Sequence, residues 1–366
     1  MKKHPLIFMF FLMLFSLSFI DITLKDREFS SLENRILSKK PEVTLESLFS
    51  GAFVEKYEKY IDDQFLLRDN FISLKSRFEY MQGKKENNNI LYGKNNRLFE
   101  KITKIDEERV NINIEAINTF AKDKDIRVSF LLAPNSSEVY KEDMPYGSYI
   151  INEEKEIENI YEKIKYTNNI SVLESLKNNK DRYIYYYTDH HWTTYGAYLA
   201  YEKLCKTLDL QQVNLDSLEK NEISNFYGTY FSKAKNFNAK EDSLTYYTFY
   251  NIEMEIEDKI YYSLYDRDKV LERDKYGLFL NGNNSLTIIK NKSLDNNKKL
   301  LVIKDSYANS LIPFLTENYE EIHVIDLRSF QKSLDEYIEK DDFHDILILY
   351  NYNTFIRDTS LVKIKY

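Results

Sequence analysis

Hydrophobic positions follow two alternating spacings over much of the chain. Residues 111–122, 153–165 and 194–208 carry apolar side chains three to four positions apart, which is the spacing of amphipathic helices. Short continuous apolar runs such as Arg127–Ala133 (RVSFLLA) and Lys299–Lys304 (KLLVIK) are typical of strands buried on both faces. Strands joined by helices imply βαβ crossovers, so the pattern predicts an α/β fold with a doubly wound, mostly parallel sheet.

The same spacings predict the remaining elements. Further helices are predicted at 45–81, 309–318 and 334–340, further strands at 170–173, 183–187, 322–327 and 345–350, and a hairpin at 87–99. Residues 211–290 alternate polar with apolar and aromatic positions, so we predict a β-rich insertion there.

The predicted elements divide the chain into five parts. These are a signal-anchor or signal peptide at 1–23, a stalk with a helical and hairpin region at 24–103, the first part of the α/β domain at 104–210, the β-rich insertion at 211–290, and the second part of the α/β domain at 291–366.

The N-terminus has the features of an export signal. Lys2 and Lys3 precede an apolar run at residues 5–20, and no small-residue cleavage site follows it. This pattern favours an uncleaved signal-anchor helix over a cleaved peptide. We therefore expect a protein held in the cell membrane by one N-terminal helix, with its catalytic domain outside the cytoplasm, or a secreted protein if the signal is cleaved.

Composition excludes several classes of function. A net charge of −8, from 59 acidic and 51 basic residues, leaves no basic surplus to neutralise the phosphates of a nucleic acid. A single cysteine, Cys205, excludes an intrachain disulfide and a cysteine-rich zinc site. Hydrophobic residues make up 43% of the chain, which excludes wholesale disorder.

Polar residues with catalytic potential follow three of the predicted strands, where α/β sheets place their active sites. They are Asp189-His190-His191-Trp192, Lys304-Asp305-Ser306, and Tyr350-Asn351. Ser306 stands at a strand-to-helix turn, where helix N-terminal amides can cradle an oxyanion. Taken alone, the same serine is more typical of a helix N-cap than of a nucleophile.

Asp189 and His191 strengthen the catalytic interpretation. A nucleophilic serine needs a base, and the base needs an acceptor that fixes its tautomer. Residues two apart in an extended segment share a side, so Asp189 and His191 can face one pocket together. A metal site made of Asp189, His190 and His191 is the competing interpretation, but adjacent residues rarely coordinate one ion together. We therefore expect neither a metal nor another cofactor.

At these residues the chain resembles the DHHW family, named for the run at Asp189 to Trp192. Other segments that fit the family pattern are ENRIL (33–37), LYGKNNRLF (91–99), APNSSEVY (133–140), NFYGTYFSKA (225–234), SLYD (263–266), KYGLFLNGNN (275–284) and KDSYANSLIPFL (304–315). That family in turn resembles the periplasmic alginate O-acetylation proteins, which have an SGNH-hydrolase-like α/β fold.

The resemblance implies a role for each matching residue. Asp189 would orient the base, His191 would be that base, and Ser306 the nucleophile. Lys304 replaces the glycine that usually precedes the Asp-Ser pair, which puts the oxyanion-hole geometry in question. The candidates for polarising the ester or holding substrate are Arg328, Tyr350, Asn351 and Trp192.

The resemblance further implies acyl transfer through an acyl-Ser306 intermediate to a hydroxyl of a cell-surface polysaccharide, or the reverse deacetylation. A multi-span membrane acyltransferase is the implied partner. One alternative is a non-catalytic polysaccharide-binding or assembly protein on the same fold. A metal-dependent deacetylase is another.

Overall fold

The computed structural model describes residues 4–122, 124–236 and 238–365. The helices are α1 Pro5–Thr23, α2 Leu45–Phe49, α3 Ala52–Gln64, α4 Arg68–Met81, α5 Glu107–Lys122, α6 Ser136–Val139, α7 Glu153–Lys163, α8 Leu173–Asn178, α9 Thr194–Leu208, α10 Thr229–Ala234, α11 Ile312–Leu315, α12 Leu334–Ile338 and α13 Tyr352–Phe355. The strands are β1 Phe29–Ser30, β2 Arg35–Ile36, β3 Glu86–Asn87, β4 Ile90–Tyr92, β5 Leu98–Glu100, β6 Arg127–Ala133, β7 Asn168–Ile170, β8 Lys220–Phe226, β9 Asp242–Tyr247, β10 Ile252–Ile256, β11 Lys259–Tyr261, β12 Leu286–Asn291, β13 Lys299–Lys304, β14 Glu321–Ile325 and β15 Asp345–Asn351.

The chain forms two compact units, of which the smaller comprises Met1–Asn87 and Ser232–Asn238. Within it, β1 and β2 pair antiparallel, and Arg35 binds the buried carboxylate of Asp63 on α3 at 2.5 and 2.9 Å. The hydrogen bond from Arg35 holds the pKa of Asp63 well below its ordinary value although burial opposes this. The predicted stalk is therefore tied to α3 by a charged pair.

The larger unit, Asn88–Phe231 with Ala239–Tyr366, contains an eight-stranded sheet. Its order is β11-β10-β12-β14-β13-β15-β6-β7. The pairings from β14 through β7 are parallel, whereas β12 pairs antiparallel with β14 and the hairpin β10–β11 extends that edge. The predicted α/β architecture with a large parallel sheet is confirmed, and the region predicted as a β-rich insertion supplies the antiparallel strands of this sheet.

The sheet is buried on both faces, which explains its continuous apolar runs. Leu300 and Val302 of β13 belong to the core on one face, whereas Leu301 and Ile303 belong to the core on the other. Because β13, β14, β15 and β6 run parallel, the loops after them meet at the same edge of the sheet. Asp305, just after β13, and Asn351, at the end of β15, therefore lie next to each other.

Several boundaries differ from those predicted. The helix predicted at 45–81 is three helices, because Gly51 and Leu67 have positive φ angles of 78° and 59°. In place of the strand predicted at 183–187 there is one antiparallel bridge between Tyr185 and Trp192. The backbone N–H of Tyr187 is not part of a sheet, because it donates a hydrogen bond to the carboxylate of Asp242 at 2.7 Å.

Two further elements are shorter than expected. The strand predicted at 170–173 is β7, Asn168–Ile170, and a helix already begins at Leu173. The helix predicted at 309–318 is a 3₁₀ turn at Ser306–Ser310 followed by α11.

The predicted signal-anchor receives no support from the structure. Residues 5–23 are helical. Within residues 4–122, 124–236 and 238–365, however, no helix combines the length and the apolar character needed to cross a bilayer.

Gly196, near the start of α9, offers a test of how closely this helix packs against the backbone at Ile184. A Cβ there would lie 2.3 Å from the carbonyl oxygen of Ile184, which is backbone and has no rotamer with which to move away. We expect Gly196→Ala to lower the free energy of unfolding by about 1–3 kcal/mol, the usual cost of overpacking. Urea denaturation measures this. Gly277→Ala is the control, because its nearest neighbour would be 3.5 Å away; equal stability of both variants and wild type would contradict the packing.

Candidate active site

The loop between Tyr187 and α9 carries the Asp-His-His-Trp run, and a buried carboxylate from β9 fixes its start. Asp242 accepts hydrogen bonds from Thr188 N at 2.8 Å and from Thr188 Oγ1 at 2.5 Å. Burial raises the pKa of Asp242 to about 6, although the same hydrogen bonds oppose the rise. The loop therefore enters the site in a fixed position.

Asp189 is almost fully buried and is oriented by donors on both carboxylate oxygens. Its Oδ1 accepts from His191 N at 3.0 Å and lies 2.5 Å from His191 Nδ1. Its Oδ2 accepts from Thr229 N at 2.8 Å and from Thr229 Oγ1 at 3.1 Å. A Cβ on Gly228 would lie 2.2 Å from that oxygen, so the close approach of this backbone requires glycine.

His191 bridges Asp189 and Ser306. Its Nε2 lies 2.8 Å from Ser306 Oγ, while its Nδ1 faces Asp189. With a proton on Nδ1, the ring donates to the carboxylate and accepts from the serine hydroxyl. The ring of Tyr276 stacks on the imidazole at 3.6 Å with an interplanar angle of 8°.

The electrostatics keep His191 neutral. Burial lowers the pKa of His191 to about 4, and the charge of His190 acts in the same direction, whereas Asp189 opposes it. Burial also raises the pKa of Asp189, but the two imidazoles outweigh it and hold that pKa well below its ordinary value. At neutral pH the site therefore holds an ionised carboxylate and an unprotonated imidazole nitrogen facing Ser306.

Ser306 opens the 3₁₀ turn Ser306–Ser310 directly after β13, and its own side chain is half-buried. Asp305 caps this turn by accepting a hydrogen bond from Tyr307 N at 2.9 Å. Its other carboxylate oxygen accepts a hydrogen bond from Asn351 N at 2.8 Å. The indole Nε1 of Trp192 donates to Tyr307 O at 3.0 Å. The ends of β13 and β15 and the loop before α9 therefore hold the position of the nucleophile candidate.

The backbone amides around Ser306 are not equally available. Tyr307 N–H is occupied by Asp305, so the amide after the serine cannot serve an oxyanion without breaking its cap. The N–H of Ser306 itself forms no hydrogen bond with the part of the chain that the structure describes. That group is the donor left for an oxyanion at this turn.

His190 lies beside the pair and is partly exposed. Its Nδ1 is 2.7 Å from Thr229 Oγ1 and 3.6 Å from Asp189 Oδ1. One ligand atom each from Asp189, His190 and His191 come within 4.8 Å of one another, so the three side chains together are able to hold a metal ion. Both ring nitrogens of His191 already have hydrogen-bond partners, which a metal ion would have to displace.

The four residues suggested for substrate or oxyanion binding are placed differently. Trp192 and Tyr350 are buried and lie in the core. Arg328 binds the carboxylate of Asp326 at 2.8 and 2.5 Å and remains partly exposed. Asn351 uses both amide hydrogens internally, on Ala133 O at 3.1 Å and on Asn135 Oδ1 at 3.0 Å.

Sequence reasoning missed several supporting residues. Asp242, Thr229 and Tyr276 contact the Asp-His loop or the serine turn, yet none stands near them in the chain. Thr229 and Tyr276 fall within the quoted segments NFYGTYFSKA and KYGLFLNGNN, which gave a resemblance but no role. Asp242 carried no sequence signal, because acidic residues at a strand start are ordinary and Glu241 stands directly before it.

Comparison with known proteins identifies a family and related folds. The model of the DHHW protein family matches residues 102–325. No curated protein is similar enough in sequence to match. A DHHW family protein from Eubacterium siraeum superposes with a TM-score of 0.67 at 23% identity, covering 76% of this chain and 95% of that one.

Two further solved structures share the fold. Bacillus cereus PatB1 superposes with a TM-score of 0.63 at 19% identity, covering 75% of this chain and 99% of that one, and its sulfonyl adduct is also solved. The O-acetyltransferase domain of Pseudomonas putida AlgJ gives 0.50 at 12% identity, with 75% and 98% covered. These likenesses support the SGNH-hydrolase-like α/β fold expected from the sequence.

The electrostatics of the two neighbouring histidines are directly measurable. We expect His191 to titrate near pH 4, below its ordinary pKa of 6.5, because burial and the charge of His190 disfavour its protonated form. For His190, burial lowers the pKa, but Asp189 outweighs it and raises the net value above 6.5. NMR titration of the assigned imidazole resonances separates the two. A midpoint at or above 6.5 for His191 would contradict this account of the site.

Proposed function

The chain belongs to the DHHW family, and we propose that it is a serine acyltransferase or acetylesterase acting through an acyl-Ser306 intermediate. The observation that carries the proposal is the hydrogen-bonded series from Asp189 through His191 to Ser306, with separations of 2.5 and 2.8 Å. A nucleophile, a base and an orienting carboxylate within hydrogen-bond reach form the arrangement required for nucleophilic catalysis.

The first half-reaction acylates the serine. Ser306 Oγ attacks the acyl carbonyl carbon while His191 Nε2 takes the hydroxyl proton, and Asp189 stabilises the imidazolium that forms. The N–H of Ser306 donates to the developing oxyanion. As the C–O bond of the ester breaks, His191 returns the proton to the departing alcohol, leaving acyl-Ser306 and a neutral imidazole.

The second half-reaction removes the acyl group. A sugar hydroxyl enters where the alcohol left, and His191 takes its proton. The sugar oxygen attacks the carbonyl carbon of acyl-Ser306. The bond between the acyl carbon and Ser306 Oγ then breaks as His191 returns the proton to Ser306 Oγ, giving an O-acylated sugar, a restored serine and a neutral imidazole. When water takes the place of the sugar, the same steps give hydrolysis, so transfer and hydrolysis share one machinery.

We place the reaction on a cell-surface polysaccharide outside the cytoplasm. The support is the lysine-led apolar N-terminus and the fold shared with the O-acetyltransferase domain of AlgJ. A membrane acyltransferase as acyl donor belongs to the same proposal. A purely polysaccharide-binding role is less favoured, because binding alone does not require a serine hydroxyl aligned with a neutral buried histidine.

A serine variant tests the mechanism. We expect the domain that begins after residue 23 to hydrolyse 4-nitrophenyl acetate and to show an acetyl adduct by intact-mass spectrometry. Ser306→Ala should lose both, with the rate falling by at least about 10³-fold because the nucleophile is gone. Phenylmethylsulfonyl fluoride should modify wild type and leave Ser306→Ala unmodified. Activity that survives the substitution would exclude the acyl-serine mechanism.

Chelation separates this mechanism from a metal-dependent one. The proposed steps use only Ser306, His191 and Asp189, so we expect hydrolysis of the aryl ester to be unchanged after dialysis against EDTA. Added Zn²⁺ should not raise the rate. A loss of activity on chelation that Zn²⁺ restores would instead assign Asp189, His190 and His191 to a metal centre.

A further inference from the structure

The segment 275–284, here called the strap, lies alongside the turn that carries Ser306. Tyr276 stacks on His191, and its hydroxyl donates to Ser306 O at 3.1 Å. Farther along, Gly282 O and Asn283 Oδ1 accept from Asn309 Nδ2 at 3.3 and 3.2 Å. The strap therefore contacts the base, the nucleophile residue and the end of the nucleophile turn.

A buried lysine anchors the far end of the strap. Lys304, the last residue of β13, is only 2% exposed, and its Nζ donates to Asn283 Oδ1 at 2.6 Å. The carboxylate of Asp326 is 3.9 Å away. A buried ammonium is costly unless its N–H groups find acceptors, so this bond strongly constrains Asn283.

These contacts decide which way the Asn283 amide faces. An ammonium has only donors, so the atom facing Lys304 must be the oxygen of Asn283. That oxygen accepts hydrogen bonds from both Lys304 Nζ and Asn309 Nδ2. The nitrogen is left on the other side of the amide, in a residue that is exposed, and it donates to no residue that the structure describes.

The backbone of the strap is held in a demanding conformation at this point. Leu280, Asn281 and Gly282 have positive φ angles of 55°, 54° and 87° in succession. Non-glycine residues adopt this region only when their surroundings over-determine it. Such strain is typical of segments that place a functional group.

Beside Ser306, its own N–H has no partner among the residues that the structure describes, whereas two neighbouring donors are already in use. Tyr307 N–H caps on Asp305, and both amide hydrogens of Asn351 are bonded. We infer that Asn283 is a substrate-binding residue whose side-chain amide donates a hydrogen bond to an oxygen of the O-acylated sugar bound at Ser306. This inference rests on the proposed function. The oxygen is either the acyl carbonyl or a sugar oxygen beside it.

Asn283→Asp separates this role from anchoring. The aspartate keeps an acceptor for Lys304 and Asn309, so the strap stays in place, but it removes the amide donor. We expect kcat/KM to fall between about tenfold and 10³-fold, the span from one ordinary hydrogen bond to an oxyanion donor, with Tm unchanged or higher. Asn281→Asp adds the same charge two residues away and should behave like wild type.

Three assays of the full-length protein make the outcome decisive: hydrolysis of 4-nitrophenyl acetate, hydrolysis of O-acetylated xylo-oligosaccharide, and the rate of modification by phenylmethylsulfonyl fluoride. A loss confined to the sugar ester assigns the bond to a sugar oxygen, and a loss in all three assigns it to the carbonyl oxygen. Wild-type rates for Asn283→Asp, or equal losses in Asn281→Asp, would overturn the inference. A wild type inert in all three assays would instead overturn the proposed function on which it rests.

Discussion

The site depends on keeping one carboxylate ionised inside the protein. Asp189 is buried, and burial alone favours the protonated acid. Thr229 donates twice to one oxygen, and the backbone and ring of His191 face the other. Because these groups stabilise the charged form, Asp189 can fix the tautomer of His191 and stabilise a proton arriving there.

The groups that satisfy Asp189 come from parts of the chain that are distant in sequence. Thr229 begins α10, and Gly228 before it must lack a Cβ for the backbone to come close enough. Asp242 on β9 anchors the start of the same loop through Thr188. The segment after α9 is therefore needed to complete the electrostatics of the Asp-His loop.

The nucleophile turn shows the same dependence across the sheet edge. Asp305 accepts from Asn351 N, Asn351 donates to Asn135, and Asn135 donates from its backbone and its side chain to Glu153 at 2.6 and 2.9 Å. Burial raises the pKa of Glu153 to about 8, although the Asn135 donors oppose this. This polar series crosses the ends of β13, β15 and β6, so their parallel register positions Ser306.

Sequence predicted the parts of this arrangement that local pattern controls. The bounds of Arg127–Ala133, Thr194–Leu208 and Lys299–Lys304 match the predicted elements, because buried strands and an amphipathic helix leave clear periodicities. Ser306 follows a strand end, as the sequence predicts, whereas Asp189 and His191 follow a segment with a single bridge; the structure still brings the three together.

Long-range contacts were beyond the reach of these patterns. Asp242 and Tyr276 reach the site only through tertiary pairing. The segment at 183–187 was predicted as a strand from its tyrosines, but its backbone is bound by Asp242 and by Leu98 N in place of a sheet ladder. β-Propensity describes a side chain suited to a half-buried surface and does not specify the partner.

Lys304 shows how the residue before an Asp-Ser pair changes the physics of a site. Glycine before the Asp-Ser pair would leave space beside the nucleophile turn, whereas lysine fills it with a charge that must be paired. Asn283 supplies the pairing oxygen and so fixes the end of the strap. The positive charge also disfavours protonation of His191, adding a smaller effect to those of burial and His190. The imidazole is therefore kept as a free base, and Asp189 becomes indispensable once His191 takes the proton of Ser306.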